Sequence, residues 1–324
     1  MNELTYKKWN TLLGWGVFLI ALITYTLTLE PTVSYWDCGE YISTAIKLEV
    51  GHPPGAPLFQ MLGAFFAMFT SDVTKVAYMV NFMSGLASAF TILFLFWSIT
   101  AIAKKMLQRN QTEISSSSFI AILGAGLVGS LAYTFSDSFW FSAVEGEVYA
   151  MSSFLMALMF WLGIRWEEEI HEPYGNRWLL LISFVVGLSF GVHILSLLVI
   201  PAIVLLYIFK KYTIDTFVKF VIANIVSLVA LVFVFKMLFP FTLQYFSALE
   251  LFFVNSIGLP FNSGTIIAGL LLIAFFVFGI RYTHQKNLVN ANTALLSILF
   301  VMIGFSSWLM LPIRANANTT INEN

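Results

Sequence analysis

Apolar residues run along this chain in long blocks. A helix crossing about 30 Å of hydrocarbon needs roughly 20 such residues at 1.5 Å each. Blocks of that kind occupy residues 10–29, 77–103, 119–135, 148–166, 178–192, 194–209, 217–236, 264–280 and 291–311. The fifth and sixth are short, and residues 191–193 between them read as a tight turn. A further apolar stretch, 56–70, is too short to span comfortably and predicts a helix lying along the membrane surface. The pattern therefore predicts an all-α integral membrane protein of about nine transmembrane helices, with an interfacial helix in the first loop. The first block follows Lys7 and Lys8, as a secretory signal would. It is long for one, and residues 26–30 offer no small-residue cleavage site, so a retained first helix is expected.

Positive charge sets the orientation, because Lys and Arg accumulate in cytoplasmic loops. With the N-terminus inside and 56–70 not crossing, all 16 Lys and Arg except Lys47, Lys75, Lys236 and Arg314 face the cytoplasm. A tenth span at 56–70 would move Lys104, Lys105 and Arg109 outside and spoil that bias. The C-terminus then lies outside. Residues 1–314 form one membrane domain, and 315–324 read as the start of an extracytoplasmic segment that this chain breaks off.

Composition agrees with the pattern. Hydrophobic residues make up 59% of the 324 and charged ones only 10%, against about 45–50% and 25% in ordinary soluble domains. A net charge of −1 gives no field to recruit a polyanion, so no nucleic-acid partner is expected. The single cysteine, Cys38, excludes an internal disulfide.

Carboxylates gather in two outer loops, 30–54 and 136–147, and candidate chemistry gathers with them. The first loop contains Trp36-Asp37-Cys38-Gly39-Glu40-Tyr41. If 35–47 is helical, Asp37 and Glu40 share a face at i and i+3. Two carboxylates that close repel, which favours a raised pKa and general-base work. Trp36 and Tyr41 offer flat faces for sugar rings, or simply an interfacial aromatic belt. Gly51-His52-Pro53-Pro54-Gly55 is a stiff turn in which His52 either serves helix entry alone or donates to a phosphate or carboxylate. Glu145 and Glu147 stand at the start of the fourth span, where the helix dipole favours one negative charge but leaves a second unexplained. His193 sits at an outer helix end, as a packed interface residue or a ligand-facing one. Arg314 follows the last span, as a snorkelling residue or as a fork for phosphate. No metal-ligand spacing is present, although the acidic residues could hold a divalent metal through oxygen.

These motifs resemble the GT-C superfamily of membrane glycosyltransferases, to which protein O-mannosyltransferases and lipid A aminoarabinose transferases belong. The closer likeness is to a family of large bacterial membrane proteins of unknown function, related to a metazoan O-mannosyltransferase of receptor ectodomains. It rests on Trp36-Asp37-Cys38-Gly39-Glu40, Gly51-His52-Pro53-Pro54-Gly55, Glu145-Gly146-Glu147-Val148-Tyr149, residues 187–193 and residues 311–316. The resemblance implies a GT-C-like fold in a bacterial inner membrane, a polyprenyl-phosphate sugar donor, an outer-face site and inversion at the anomeric carbon. It also implies that Asp37 acts as base. The acidic pair is Asp-x-x-Glu here, not the adjacent Asp-Glu of O-mannosyltransferases, so the division of work between Asp37 and Glu40 stays open.

The expectation is a glycosyltransferase with catalytic Asp37 and Glu40, and with Trp36, His52, Glu145, Glu147, His193 and Arg314 binding substrate. Its partners would be the lipid-linked sugar donor, an exported protein or glycan acceptor, and membrane lipids. No other cofactor is required. The rival is a transporter or flippase, which would more usually carry ionisable residues at mid-membrane and broken helices in related halves.

Overall fold

A computed structural model describes residues 3–108 and 114–323. Every regular element among the described residues is helical, and the one β-type pairing is an isolated bridge between Val50 and Asn322. In chain order the helices are α1 (Glu3–Leu27), α2 (Cys38–Lys47), α3 (Pro57–Ala67), α4 (Val76–Leu107), α5 (Ser116–Thr134), α6 (Asp137–Ala143) and α7 (Val148–Glu169). Then follow α8 (Arg177–Phe190), α9 (Ile200–Lys211), α10 (Phe217–Phe233), α11 (Phe239–Leu251), α12 (Ser263–Gln285), α13 (Val289–Phe305) and α14 (Met310–Ala315).

Eight helical runs among the described residues are long and apolar enough to cross a membrane. With the 14-residue α8, they give the about nine spans expected for an integral membrane protein. Residues 191–193 form the turn between α8 and the 3-10 run Ile194–Val199 that leads into α9. The 56–70 stretch becomes α3, of 11 residues, or about 17 Å at 1.5 Å per residue, too short to cross.

Two elements differ from expectation. The helix beginning at Phe217 does not stop at 236 but runs on to Ser256, 40 residues in all. Lys236 and Pro240 interrupt the apolar pattern there, yet a π-helical turn, Val234–Leu238, carries the helix through. Such a turn lets the ladder tolerate the N–H that proline lacks. The second outer loop also holds the short helix α6, which no long apolar run announces.

Close approach organises the bundle. Gly187 of α8 and Gly304 of α13 face each other, and a Cβ on either would run into the opposing backbone, at the Val301 or Phe184 carbonyl. Small residues permit such backbone contact where lipid removes the hydrophobic drive for association. The opposite condition holds on α10, where Phe217, Val218, Ile222, Leu228 and Val229 are exposed. An apolar surface of that extent belongs against lipid.

Charges are driven to the ends of the bundle, since an ionised group in hydrocarbon is costly. At one end they pair among themselves. Lys104 bonds Glu3 at 2.7 Å, Lys210 bonds Glu167 at 2.6 Å, and Lys105 also pairs with Glu167. Arg165 holds Glu168 and Glu169. Arg109 lies outside the described residues. The other end carries α2, α3, α6 and the two acidic loops.

Those two ends fix a topological prediction. In a Cys38→Ala background, a single cysteine at Asp72 should react with a membrane-impermeant maleimide on intact cells. One at Gln108 should react only after permeabilisation. Labelling of Gln108 from outside would invert the arrangement.

Candidate active site

The site begins with Asp37, which is the N-cap of α2, and with Trp36 before it in the left-handed region at φ 58°. That backbone turn leaves the Trp36 ring 89% exposed. One turn into α2, the Glu40 carboxylate receives two bonds from His52. The His52 backbone N–H donates to Oε1 at 2.6 Å, and Nδ1 lies 2.9 Å from Oε2. The other ring nitrogen, Nε2, then faces Asp37 at 3.9 Å. Three polar groups from two segments of the first loop thus converge, with their ligand-type atoms within 4.8 Å of one another. Imidazole with two carboxylates is a donor set that can take a divalent ion.

The turn preceding His52 depends on Gly51. A Cβ there would stand 2.7 Å from Glu40 Oε1 and 3.2 Å from Gln60 Nε2, so any side chain would displace the carboxylate. Gln60 donates to Thr44 Oγ1 at 2.9 Å, and Thr44 in turn donates to the Glu40 carbonyl at 2.8 Å. The His52 ring packs at 5.9 Å from Tyr41, which itself meets Phe59 of α3 at 5.4 Å. The hydrogen bond to Glu40 is the main cause that raises the His52 pKa, against a smaller opposing effect of burial.

The second outer loop lies beneath the first. Glu30 N–H donates to the Val144 carbonyl at 3.0 Å. Buried Asn81 of α4 donates to the carbonyls of Glu30 at 2.6 Å and Thr32 at 2.9 Å. Glu145 and Glu147 are buried here, the latter only 3% exposed as the N-cap of α7. The Glu147 carboxylate accepts from the Asp37 backbone N–H, and Glu145 bonds the Ser34 side chain. Burial pushes the Glu147 carboxyl up to about 7, with Glu145 and Asp37 adding repulsion. Burial likewise raises Glu145, whose Oε2 has no hydrogen-bond partner among the described residues. The helix dipole that favours an anion at this position is thus outweighed by desolvation.

His193 and Arg314 stand apart from this cluster. The His193 ring packs on Tyr149 at 5.4 Å, its Nδ1 accepts from Leu195 N–H at 3.1 Å, and burial lowers its pKa. Arg314 spends its guanidinium on the carbonyls of Leu48 and Lys47. Cys38 is fully buried. Asn81, Gln60 and Gly51 were not singled out by sequence pattern as parts of the site, and Tyr41, expected to face a sugar ring, packs on His52. Of the first three, only Gly51 had a signal, in its place before the histidine and the prolines.

An all-helical membrane domain with an acid–histidine cluster at one end is the class of protein that fold and site define. The family described as the N-terminal domain of protein O-mannosyl-transferase TMEM260 matches residues 37–216, more than half of the chain, and the chain belongs to it. That match covers the cluster, the first acidic loop from Asp37 onward and the whole of the second. The chain is 28% identical over 198 residues to protein O-mannosyl-transferase tmem260 of Dictyostelium discoideum, an alignment covering 57% of this chain and 22% of the relative. It is 30% identical over 174 residues to protein O-mannosyl-transferase TMEM260 of Mus musculus, covering 54% of this chain and 22% of that one. The match therefore spans about a fifth of the length of these relatives. No solved structure matches the chain.

Burial of Glu147 makes a pH-dependent prediction. A carboxyl whose folded pKa is raised stabilises the fold while both states hold the proton. That contribution is lost as pH rises from the unfolded value, 4.5, to the folded value of about 7. Glu147→Gln removes the loss, so it should raise Tm in detergent at pH 8, by the equivalent of about 3 kcal/mol. Near pH 4 the variant and wild type should unfold together. A Tm difference independent of pH would contradict the assignment.

Proposed function

We propose that this domain transfers a sugar, mannose foremost, from a polyprenyl-phosphate carrier to a Ser or Thr hydroxyl of an exported protein, on the extracytoplasmic face of a bacterial inner membrane. The observation that carries this reading is the convergence of Asp37, Glu40 and His52 at the bundle end that the positive-inside pattern puts outside. The relatives' names supply the sugar and the class of acceptor. The donor must be lipid-linked, because nucleotide sugars remain in the cytoplasm.

In this mechanism Asp37, with its side chain 57% exposed, takes the proton from the acceptor hydroxyl. The oxygen attacks the anomeric carbon from one side as the bond to the lipid phosphate breaks on the other. A single displacement inverts the centre. Polyprenyl phosphate leaves, and the charge growing on it needs a cation placed in advance. His52, held on Glu40, is the nearest candidate, since Arg314 is engaged elsewhere. Trp36 offers the sugar an open ring face. Glu145 and Glu147 are too buried to meet the sugar freely, and their contacts with Ser34 and the Asp37 backbone suit them to hold the base in place.

The carrier's hydrocarbon chain also has room. A cavity of about 970 Å³ lies between α11, α12, α13 and α14, lined by Leu243, Phe246, Leu272, Met302, Trp308 and Leu311 among others. Its walls are almost wholly apolar, and Pro312 and Ala315, the near neighbours of Arg314 in sequence, are among them. An isoprenoid tail would bury apolar area there at about 25 cal/mol per Å².

The test is single-turnover transfer from synthetic polyprenyl-phosphate sugars to Ser/Thr peptides, read by mass spectrometry, with several sugars in parallel and with an EDTA arm. Asp37→Asn should keep donor affinity and slow transfer by about 10²–10⁴-fold, the usual worth of a positioned base. Glu40→Gln should cost less. A normal rate in Asp37→Asn with collapse in Glu40→Gln would move the base to Glu40. Normal rates in both would refute the mechanism, and movement of the lipid-linked sugar across the bilayer without transfer would favour a flippase.

A further inference from the structure

Helix α2 is held at both ends, and the second hold comes from the far end of the sequence. Arg314 Nε donates to the Leu48 carbonyl at 2.6 Å, and its Nη2 donates to the Lys47 carbonyl at 3.0 Å, across 266 and 267 positions of chain. These carbonyls belong to the C-terminus of α2, where Leu48 turns left-handed at φ 50°. A helix leaves its last carbonyls without intrahelical partners, and the negative end of its dipole attracts a cation. The planar fork of arginine meets both needs at once.

The residues after Arg314 reinforce the same turn. Val50 N–H donates to the Ile321 carbonyl at 3.1 Å, and Glu323 N–H returns a bond to the Val50 carbonyl at 3.1 Å. Asn322 Nδ2 donates to the Ala315 carbonyl at 3.3 Å and closes the tail on α14. Val50 is fully buried and packs with Met310 and Leu311. Two residues further on, His52 reaches Glu40 with both its backbone N–H and its ring. Only residues 49–51 separate the Arg314 contacts at Lys47 and Leu48 from His52, which holds Glu40.

We infer that Arg314 is a positioning residue, which fixes the Leu48–His52 turn so that His52 meets Glu40 and turns its other nitrogen to Asp37. It is not the cation that binds the donor phosphate. Two of its N–H groups, on different nitrogens of the fork, are committed to carbonyls. A phosphate would meet only the three remaining N–H groups, on Nη1 and Nη2, of a fork already fixed by the end of α2. The inference rests on the reading of the Asp37 cluster as the transfer site, and it makes the segment beyond the last span part of that site's framework.

The experiment compares Arg314→Ala, Arg314→Lys, Glu40→Gln and Asp37→Asn in the full chain, reconstituted in nanodiscs and matched for thermal unfolding. One readout is the ring-nitrogen NMR signature of ¹⁵N-labelled His52, assigned by its loss in His52→Gln. The other is single-turnover transfer from synthetic polyprenyl-phosphate mannose to a Ser/Thr peptide, with donor affinity measured separately. Arg314→Ala should remove the hydrogen-bonded Nδ1 signal and slow transfer roughly 10- to 100-fold, the scale of an ångström of misplacement. Donor affinity should stay within about twofold, on the same argument that positioning leaves binding in place. The lysine variant, whose ammonium can reach one carbonyl, should restore part of both. Adding Arg314→Ala to Glu40→Gln should cost nothing further. An unchanged His52 signal with weakened donor binding, in either folded variant, would overturn the inference and return Arg314 to the phosphate. A normal rate in Asp37→Asn would sink the transfer reading alone, since the His52 signal still decides the role of Arg314. Should the alanine variant fail to fold, the lysine variant carries the same two outcomes.

Discussion

Hydrocarbon accepts neither ionised side chains nor unpaired backbone groups, and the architecture follows from that exclusion. The spans consist of helices whose polar backbone is satisfied internally, and the ion pairs lie at their ends. Whatever chemistry the chain performs must be assembled from loops that rest on top of the bundle. Such loops lack a core of their own and are held by a few contacts with helix ends. Asn81 ties Glu30 and Thr32 to α4, the Gly191 carbonyl receives the Leu58 and Phe59 N–H groups at the start of α3, and Arg314 ties α2 to α14. Each contact bonds a backbone group that would otherwise be unsatisfied near a dry surface.

The same exclusion sorts the carboxylates. Asp37 stands in water at the mouth of the site, whereas Glu145 and Glu147 are enclosed beneath it. Enclosure raises the pKa of both glutamates. Burial holds Glu147 up to about 7, so it carries much less charge near neutrality than an ordinary glutamate. Less negative charge under Asp37 means less repulsion against any anion at the mouth of the site. A second exposed carboxylate there would oppose it.

Much of this was legible in the sequence. Apolar blocks gave the spans, and the bias of Lys and Arg gave the end at which the acidic loops lie. Asp37 and His52 stood out because ionisable residues are rare in such a chain. Their partnership did not: the i, i+3 spacing pointed to an Asp37–Glu40 pair, while the structure brings Glu40 and Asp37 together through His52, a residue beyond the end of the helix. Asn81 was hidden because a lone amide within an apolar run carries no pattern. Arg314 was visible as a cation, but its carbonyl partners lie 266 positions away, and no local periodicity encodes that contact. The 40-residue helix is not legible as one span because a lysine and a proline look like a boundary, whereas a π-helical turn carries the ladder across them.

Sequence distance and mechanical distance therefore differ in this molecule. The backbone contact of Gly187 with α13 fixes the height of α8, and with it the Gly191 carbonyl that receives the start of α3. Phe59 of α3 supports Tyr41, and Tyr41 supports His52. From the same α13, the chain continues through Trp308, which donates to the Phe190 carbonyl at 2.9 Å, into α14 and Arg314. Two routes thus lead from one helix pair to opposite sides of the His52 turn. A movement of α8 and α13 as one unit would carry both supports together and keep their spacing, whereas a slip of α13 against α8 would change it. A shift of the first loop alone would break one of them. The site is consequently built to ride on the α8–α13 pair, and its geometry is set by helix packing as much as by the motifs that carry the chemistry.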